Sequence, residues 1–128
     1  MIVVVIAGIF VAGWLYSPAP TPTNIARSYI KARFDRDWET AWRLTCRQGR
    51  SPYPDFDAYA ARSDDAFRGY EMPKGIIVAT RTVSSDRETV VVRIAVRAGE
   101  GGPWHAMGDM SLVVEDGAVR VCTSPGLR

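Results

Sequence analysis

The hydrophobic pattern of this chain changes its period once, near residues 73–75, and that change constrains the fold more than any other feature. Before it, apolar residues recur every three or four positions, as on one face of a helix. After it, they alternate, as on one face of a strand. Helices followed by consecutive strands predict an α+β domain, with about three helices packed on a curved four-stranded antiparallel sheet.

The helical half divides into three predicted helices. The first covers residues 23–34, the second residues 38–46, and the third begins at residue 56. Asp37 and Asp55 stand directly before the second and third helices, where an acidic side chain caps the first turn. Residues at helical spacing give each helix a stripe that faces the core: Ile25, Tyr29, Ile30 and Phe34; Trp38, Ala41, Trp42 and Thr45; Phe56, Tyr59, Ala60, Ser63 and Phe67.

The second half predicts strands over residues 76–83, 88–98 and 104–115, and a fourth strand around residue 120. The intervening turns are residues 84–87, a glycine-rich loop at residues 99–103, and a two-residue hairpin turn, Asp116–Gly117. Alternation assigns one face of the sheet to the core: Val90, Val92, Ile94 and Val96 on the second strand, and Trp104, Ala106, Met110, Leu112 and Val114 on the third.

The last hairpin has a definite predicted register. The turn pairs Val114 with Val119, and Leu112 with Val121, so that apolar side chains meet on one face. The same register places Cys122 on the opposite face. A bond from Cys122 to Cys46 therefore requires a bulge, a strand end that turns, or a helix that reaches round the edge of the sheet.

The first sixteen residues form an apolar segment without a charged side chain, MIVVVIAGIFVAGWLY. We interpret residues 1–16 as a membrane anchor, residues 17–23 as a Pro/Thr linker, and residues 24–128 as one domain. Sixteen helical residues span about 24 Å, against a hydrocarbon core of about 30 Å, so the segment is short for a span.

A cleaved signal peptide is the alternative to an anchor. No basic residue precedes the apolar run, and Pro20 would follow the most suitable cleavage site, so an uncleaved anchor is favoured. Four basic residues within about 20 positions of the run favour a cytoplasmic domain by the positive-inside rule. Folded domains are, however, often translocated regardless of such charges.

The two cysteines, Cys46 and Cys122, permit two interpretations. In an oxidising compartment they would form a disulfide, and in the cytoplasm they would be two small buried residues. We favour the disulfide, and therefore a domain outside the cytoplasm, because of the N-terminal segment. Neither residue belongs to a CxxC motif or a Cys/His cluster, so no metal site and no cofactor are predicted. A net charge of +2 without a basic block argues against nucleic acid as a partner.

Two stretches resemble the nuclear-transport-factor-two-like superfamily, also called cystatin-like. The run at residues 25–46, IARSYIKARFDRDWETAWRLTC, is similar to its opening helices. The ending VRVC is similar to small actinobacterial envelope members of unknown function, which carry one cysteine after the early helices and one on the last strand. The resemblance implies a cone with a cavity between sheet and helices, in a superfamily of enzymes, ligand-binding proteins and assembly domains.

No residue is predicted to be catalytic. His105, the single histidine, is placed by alternation on the face away from the core, and Asp109 shares that placement. Asp37 suits a helix cap better than acid–base chemistry. Asp64 and Asp65 suit the solvated end of a helix, because no further ligand stands at a useful spacing.

Several aromatic residues could line the implied cavity. The candidates for an apolar ligand, picked by analogy with the superfamily, are Tyr29, Trp38, Trp42, Tyr59, Trp104 and Met110. Arg43, Arg47 and Arg50 form a small basic cluster, which is either a solvated face or a contact for an acidic partner or an anionic lipid.

The sequence therefore predicts a single-pass cell-membrane protein with a non-enzymatic accessory or assembly domain outside the cytoplasm. Its partners would be the membrane and an envelope protein or further copies of itself. The first alternative is a binding module that holds an apolar small molecule or a lipid. An isomerase or dehydratase is the third interpretation.

Overall fold

The structure is a computed structural model that describes residues 21–71, 73, 75–86 and 88–124. This part of the chain is an α+β domain with helices first and strands second, as the change of period predicts. In order, the elements are α1 (Pro22–Phe34), α2 (Trp38–Leu44), α3 (Arg47–Arg50), α4 (Phe56–Ala66), β1 (Ile76–Ser85), β2 (Thr89–Ala98), β3 (His105–Glu115) and β4 (Ala118–Thr123).

Side chains cap three of the helices, and two of these caps, Asp37 and Asp55, confirm predictions from the sequence. Thr21 accepts a hydrogen bond from the Asn24 amide at the start of α1, and Asp37 accepts one from the Thr40 amide at the start of α2. Asp55 caps α4 through the Ala58 amide at 2.9 Å. The single turn α3 was not predicted. It lies between the predicted second and third helices, which end at residue 46 and begin at residue 56.

The four strands form one antiparallel sheet, as predicted. Their order in the sheet is β1-β2-β3-β4. The β3–β4 hairpin turns at Asp116 and Gly117, with φ angles of 51° and 78°, the positive values that a tight primed turn requires. β1 is two residues longer than predicted and ends at Ser85. Asp86 then makes the turn by accepting hydrogen bonds from the amides of Glu88 and Thr89.

The helices cover one face of the sheet, and the core lies between the two layers. Ile30 of α1 packs there with Ile94 of β2 and with Met110 and Leu112 of β3, and all four side chains are fully buried. We call this the core face of the sheet and the opposite one the outer face. The second-strand prediction is confirmed: Val92 and Ile94 are buried, and Val90 and Val96 pack against the core.

An irregularity in β3 overturns part of the predicted third-strand face. Ile94 pairs with Gly108 and Ala95 with Ala106, so Met107 is an extra residue in β3. Because one extra residue exchanges the two faces, Met107 packs against the core. The predicted core positions of Trp104 and Ala106 are therefore wrong: Trp104 is 47% exposed, and Ala106 is exposed as well.

A second irregularity brings the cysteines together. Leu112 pairs with Val121 as predicted, but Ser111 pairs with Thr123, so Cys122 is the extra residue of β4. Of the three routes that the sequence leaves open, the bulge is the one present. Cys46 follows α2, its amide donates to the Val121 carbonyl at 2.8 Å, and it forms a disulfide with Cys122 across a Cα–Cα distance of 5.1 Å.

The predicted membrane anchor at residues 1–16 lies outside the described residues. Helix α1 begins at Pro22, within the predicted linker. None of the helices in the described part of the chain has both the length and the apolar character needed to cross a bilayer.

Removal of the disulfide should destabilise the domain strongly. The bond joins positions 76 apart, and the chain-entropy model gives about 4 kcal/mol for a loop of this size. We expect the variant Cys46→Ser/Cys122→Ser to lose about that much unfolding free energy, measured by urea denaturation of the purified protein. Equal stability of the wild type with and without reductant would contradict the role of the bond.

Gly108 should resist substitution because of its backbone. Its φ of 119° lies in a region that residues with a Cβ rarely adopt. We expect Gly108→Ala to cost about 1–3 kcal/mol of unfolding free energy. Gly101→Ala is the control, since an added Cβ there meets no atom within 4 Å. If both variants unfold at the same denaturant concentration, the result would contradict the positive φ of Gly108 and the bulge at Met107.

Candidate functional site

Most of the predicted cavity residues are packed inside the core. Tyr29, Trp38, Tyr59 and Met110 are 0–6% exposed, and Trp42 is half-buried. The aromatic rings contact one another: Trp38 stacks on Phe67 with ring centroids 5.7 Å apart, and Trp42 lies 5.1 Å from Tyr59. Four hollows lined by described residues lie elsewhere. Trp104 does not share a face with Met110.

Arg33 occupies the centre of this aromatic cluster. Its guanidinium lies 5.5–5.7 Å from the ring centroids of Tyr29, Trp38 and Phe67, and it donates a hydrogen bond to the Tyr59 hydroxyl at 3.0 Å. Burial raises the pKa of Tyr59 to about 12, so this hydroxyl stays protonated at neutral pH. The polar groups of the cluster therefore hold α1, α2 and α4 together.

The acidic candidates for chemistry are used as caps and partners. Asp37 caps α2, and hydrogen bonds from Thr40, chiefly from its hydroxyl, lower the pKa of the Asp37 carboxyl. Asp64 accepts a hydrogen bond from the Trp38 indole at 2.7 Å, and Asp65 pairs with Arg68 at 3.2 Å.

His105 and Asp109 lie on opposite faces of β3, contrary to the alternation argument. His105 pairs with Val96, and since directly opposite residues share a face, it lies on the core side, past the end of the packed core. The prediction that His105 lies on the face away from the core is therefore wrong. It is exposed, as expected of a surface histidine. Asp109 lies on the outer face and pairs with Arg93 at 3.0 Å.

The predicted basic cluster lies at the C-terminal end of α2, where its side chains satisfy helix carbonyls. Arg50 donates to the Trp42 and Arg43 carbonyls at 3.0 Å each, and Arg120 of β4 also donates to the Arg43 carbonyl. Arg47 pairs with an acid of the β3–β4 turn, Asp116. Burial lowers the pKa of Arg50, and the nearby charge of Arg120 adds to this effect. These contacts attach α2 and α3 to the last hairpin.

One group of side chains has donor atoms close enough to hold a metal ion. The sulfurs of Cys46 and Cys122 and a carboxylate oxygen of Glu115 lie within 4.8 Å of one another. Because the two sulfurs are bonded to each other, they are not thiolate ligands. The Glu115 carboxylate accepts hydrogen bonds from the Arg47 amide at 3.1 and 3.2 Å.

The outer face of the sheet carries small and basic side chains in three rows across the strands. The middle row follows directly from the strand register and consists of Ala79, Ala95 and Ala106. On one side lies the row Arg81, Arg93 and Asp109, and on the other the row Ile77, Arg97 and Trp104. We call these three rows together the outer-face trench. Its two sides are four residues apart along a strand, about 13–14 Å.

The trench contains a shallow hollow of about 240 Å³, lined by Ala79, Thr80, Arg81, Arg93 and Ala95. Arg93 is paired with Asp109, whereas within the described part of the chain Arg81 and Arg97 lie in no ion pair. The floor is apolar because its side chains are the methyl groups of alanines, and it is low because these methyl groups barely rise above the backbone. The arrangement is thus a concave surface with uncompensated positive charge.

Trp104 lies on the Arg97 side of the trench, at its β3 end, whereas the sequence analysis assigns it to the core face. The Arg97 guanidinium lies 4.6 Å above its ring, which places Trp104 on the outer face. Strict alternation cannot detect an extra residue in a strand. The signal available in the sequence is Gly108, because a glycine inside a strand pattern often marks a bulge.

The sequence matches no family model, and no curated protein matches it significantly.

The two tryptophans assigned to one cavity should behave differently when truncated. Trp38 is 6% exposed and Trp104 is 47% exposed. We expect Trp38→Ala to cost about 3–5 kcal/mol of unfolding free energy, the range for a buried aromatic residue. For Trp104→Ala we expect about 0.5 kcal/mol or less. Urea denaturation measures the unfolding free energy of both variants. A large loss of unfolding free energy for Trp104→Ala would indicate that Trp104 is part of the core.

Proposed function

We propose that the chain is a single-pass membrane protein whose α+β domain acts outside the cytoplasm as an accessory or assembly domain. It contacts another envelope protein through the outer-face trench. The observation that carries this proposal is the exposed, concave face with its uncompensated arginines and its half-exposed tryptophan. Exposed tryptophan and arginine are the residue types that contribute most to the energy of protein interfaces.

The location is supported by two features of different origin. The apolar run at residues 1–16 favours attachment to a membrane. The Cys46–Cys122 disulfide favours an oxidising compartment, because thiols are kept reduced in the cytoplasm of most organisms. Together they support a domain held close to the outer surface of the cell membrane.

Assembly is favoured over catalysis because the candidate acids have structural partners. Asp37, Asp64 and Asp109 each accept a hydrogen bond from a neighbouring side chain, and they lie on different parts of the domain. A catalytic site would need such groups to converge on one concave surface. The alternative of an apolar ligand between helices and sheet receives no specific support, since Tyr29 and Tyr59 are packed in the core.

We also propose the nuclear-transport-factor-two-like superfamily as the origin of the fold. Support comes from the order of elements, with helices preceding a four-stranded antiparallel meander, and from the cysteines after α2 and on β4.

Purification of the full chain from native membranes in mild detergent tests the function. We expect the protein to migrate on native gels in a complex larger than its own detergent-bound monomer. Trp104→Ala should reduce the amount of this complex. Tyr70→Ala is the matched control, because Tyr70 is 66% exposed but lies beyond the end of α4 and is not part of the trench. Migration of the wild type as a monomer would contradict the proposal.

Thiol labelling of intact cells tests the location. We expect Cys46 and Cys122 to become reactive toward a membrane-impermeant maleimide after treatment with an impermeant reductant. Labelling only after the cells are lysed would place the domain in the cytoplasm.

A further inference from the structure

The electrostatic character of the outer-face trench identifies the partner chemistry that fits it. Three arginines lie in the side rows of the trench: Arg81 and Arg93 line the hollow, and Arg97 lies in the opposite row. The acid in these rows, Asp109, is already paired with Arg93. Arg81 and Arg97 lie on opposite sides of the trench and are left without carboxylate partners in the described part of the chain. A complementary surface would therefore carry acidic residues on both sides of a small or apolar strip.

The dimensions of the trench match those of a helix. Its sides are about 13–14 Å apart, whereas a helix with its side chains is about 10–12 Å wide. The alanines of the floor lie on neighbouring strands, about 4.8 Å apart, close to the 5.4 Å pitch of a helix. A helix lying along the row would thus place successive turns over Ala79, Ala95 and Ala106.

We propose that the outer-face trench binds an acidic helix of a partner protein, an inference that rests on the proposed function. The helix lies across the strands with small or apolar residues against the alanine floor. Carboxylates on one side pair with Arg81, and carboxylates on the other side pair with Arg97. Trp104, beside Arg97 on that same side and at the β3 end of the alanine row, packs against the last turn of the bound helix.

A second copy of this chain fits the trench less well. Face-to-face contact of two identical trenches would bring six arginines together with two aspartates. Like charges at an interface oppose association, and the aspartates are already engaged.

A membrane surface also fits less well than a protein. Lipid head groups present a broad layer of charge, whereas the trench is concave and its floor is apolar. Asp109, on one side of the trench, would face the anionic lipids and weaken such binding.

Site-specific photo-crosslinking in the native host tests this inference on the full chain. A benzophenone amino acid is placed in turn at Ala79, Ala95 and Ala106. We expect each variant to form an adduct with the same partner, at positions that advance by three or four residues along one acidic helix. Glu39, exposed on α2 on the other side of the domain, is the control position and should give no such adduct.

Charge reversal tests the role of the arginines. Arg81→Glu/Arg97→Glu should lower the yield of the Ala95 adduct about tenfold. Lys31→Glu/Arg68→Glu makes the same change of charge on two exposed residues outside the trench, one on α1 and one just beyond the end of α4, and should leave the yield unchanged. An equal loss in both variants would overturn the proposed pairing with Arg81 and Arg97.

The remaining outcomes separate the competing occupants. An adduct with peptides of this chain would identify a second copy, an adduct with lipid would identify the membrane, and an adduct with a strand or a basic segment would exclude the acidic helix. Each of these overturns the inference. If the adduct joins the trench to a segment of a partner protein that is not an acidic helix, the inference fails and the proposed function stands. If the native complex persists while none of the three positions gives an adduct, contact through the trench is excluded and both fail. If no complex exists, both fail.

Discussion

Burial of one face of the sheet by the helices is the constraint on which the other features depend. Ile30 of α1 packs in the core between helices and sheet. Ile94, Met110 and Leu112 belong to the same core, and all four side chains are fully buried. A four-stranded antiparallel sheet gains enough stability from one such covered face, and its second face is then free to carry other residues.

Two attachments fix the remaining helices around that centre. At one side, Arg33 lies among aromatic rings from α1, α2 and the end of α4, and its hydrogen bond to Tyr59 joins α1 to α4. At the other side, the chain after α2 joins the edge of β4 through the Cys46 amide and the disulfide. The polar groups that could suggest chemistry are largely used to make these attachments, which is why the outer face, and not the interior, is the candidate site.

The bulge at Met107 links the core to the outer face. It turns Met107 toward the helices and Trp104 toward Arg97, so that a single inserted residue supplies a core side chain and also sets one side of the trench. The bulge at Cys122 acts similarly at β4, where it turns a cysteine from the outer face to within bonding distance of Cys46. Both bulges interrupt the alternation of side chains between the two faces of a strand. Each thereby brings together residues that are separated in sequence, Trp104 with Arg97 and Cys122 with Cys46.

The sequence by itself determined the class of fold, the caps of two helices, the antiparallel sheet of four strands and the Asp116–Gly117 hairpin. These features follow from short-range rules. Apolar residues repeat every 3.6 positions in a helix and every 2 in a strand, a side-chain oxygen accepts from the free amides at the start of a helix, and a two-residue turn needs residues that tolerate positive φ. The tertiary structure alone decided which residues of β3 face outward and how Cys122 reaches Cys46. It also assembled the trench, because the rows cross three strands, and the register between strands is set by packing over the whole sheet.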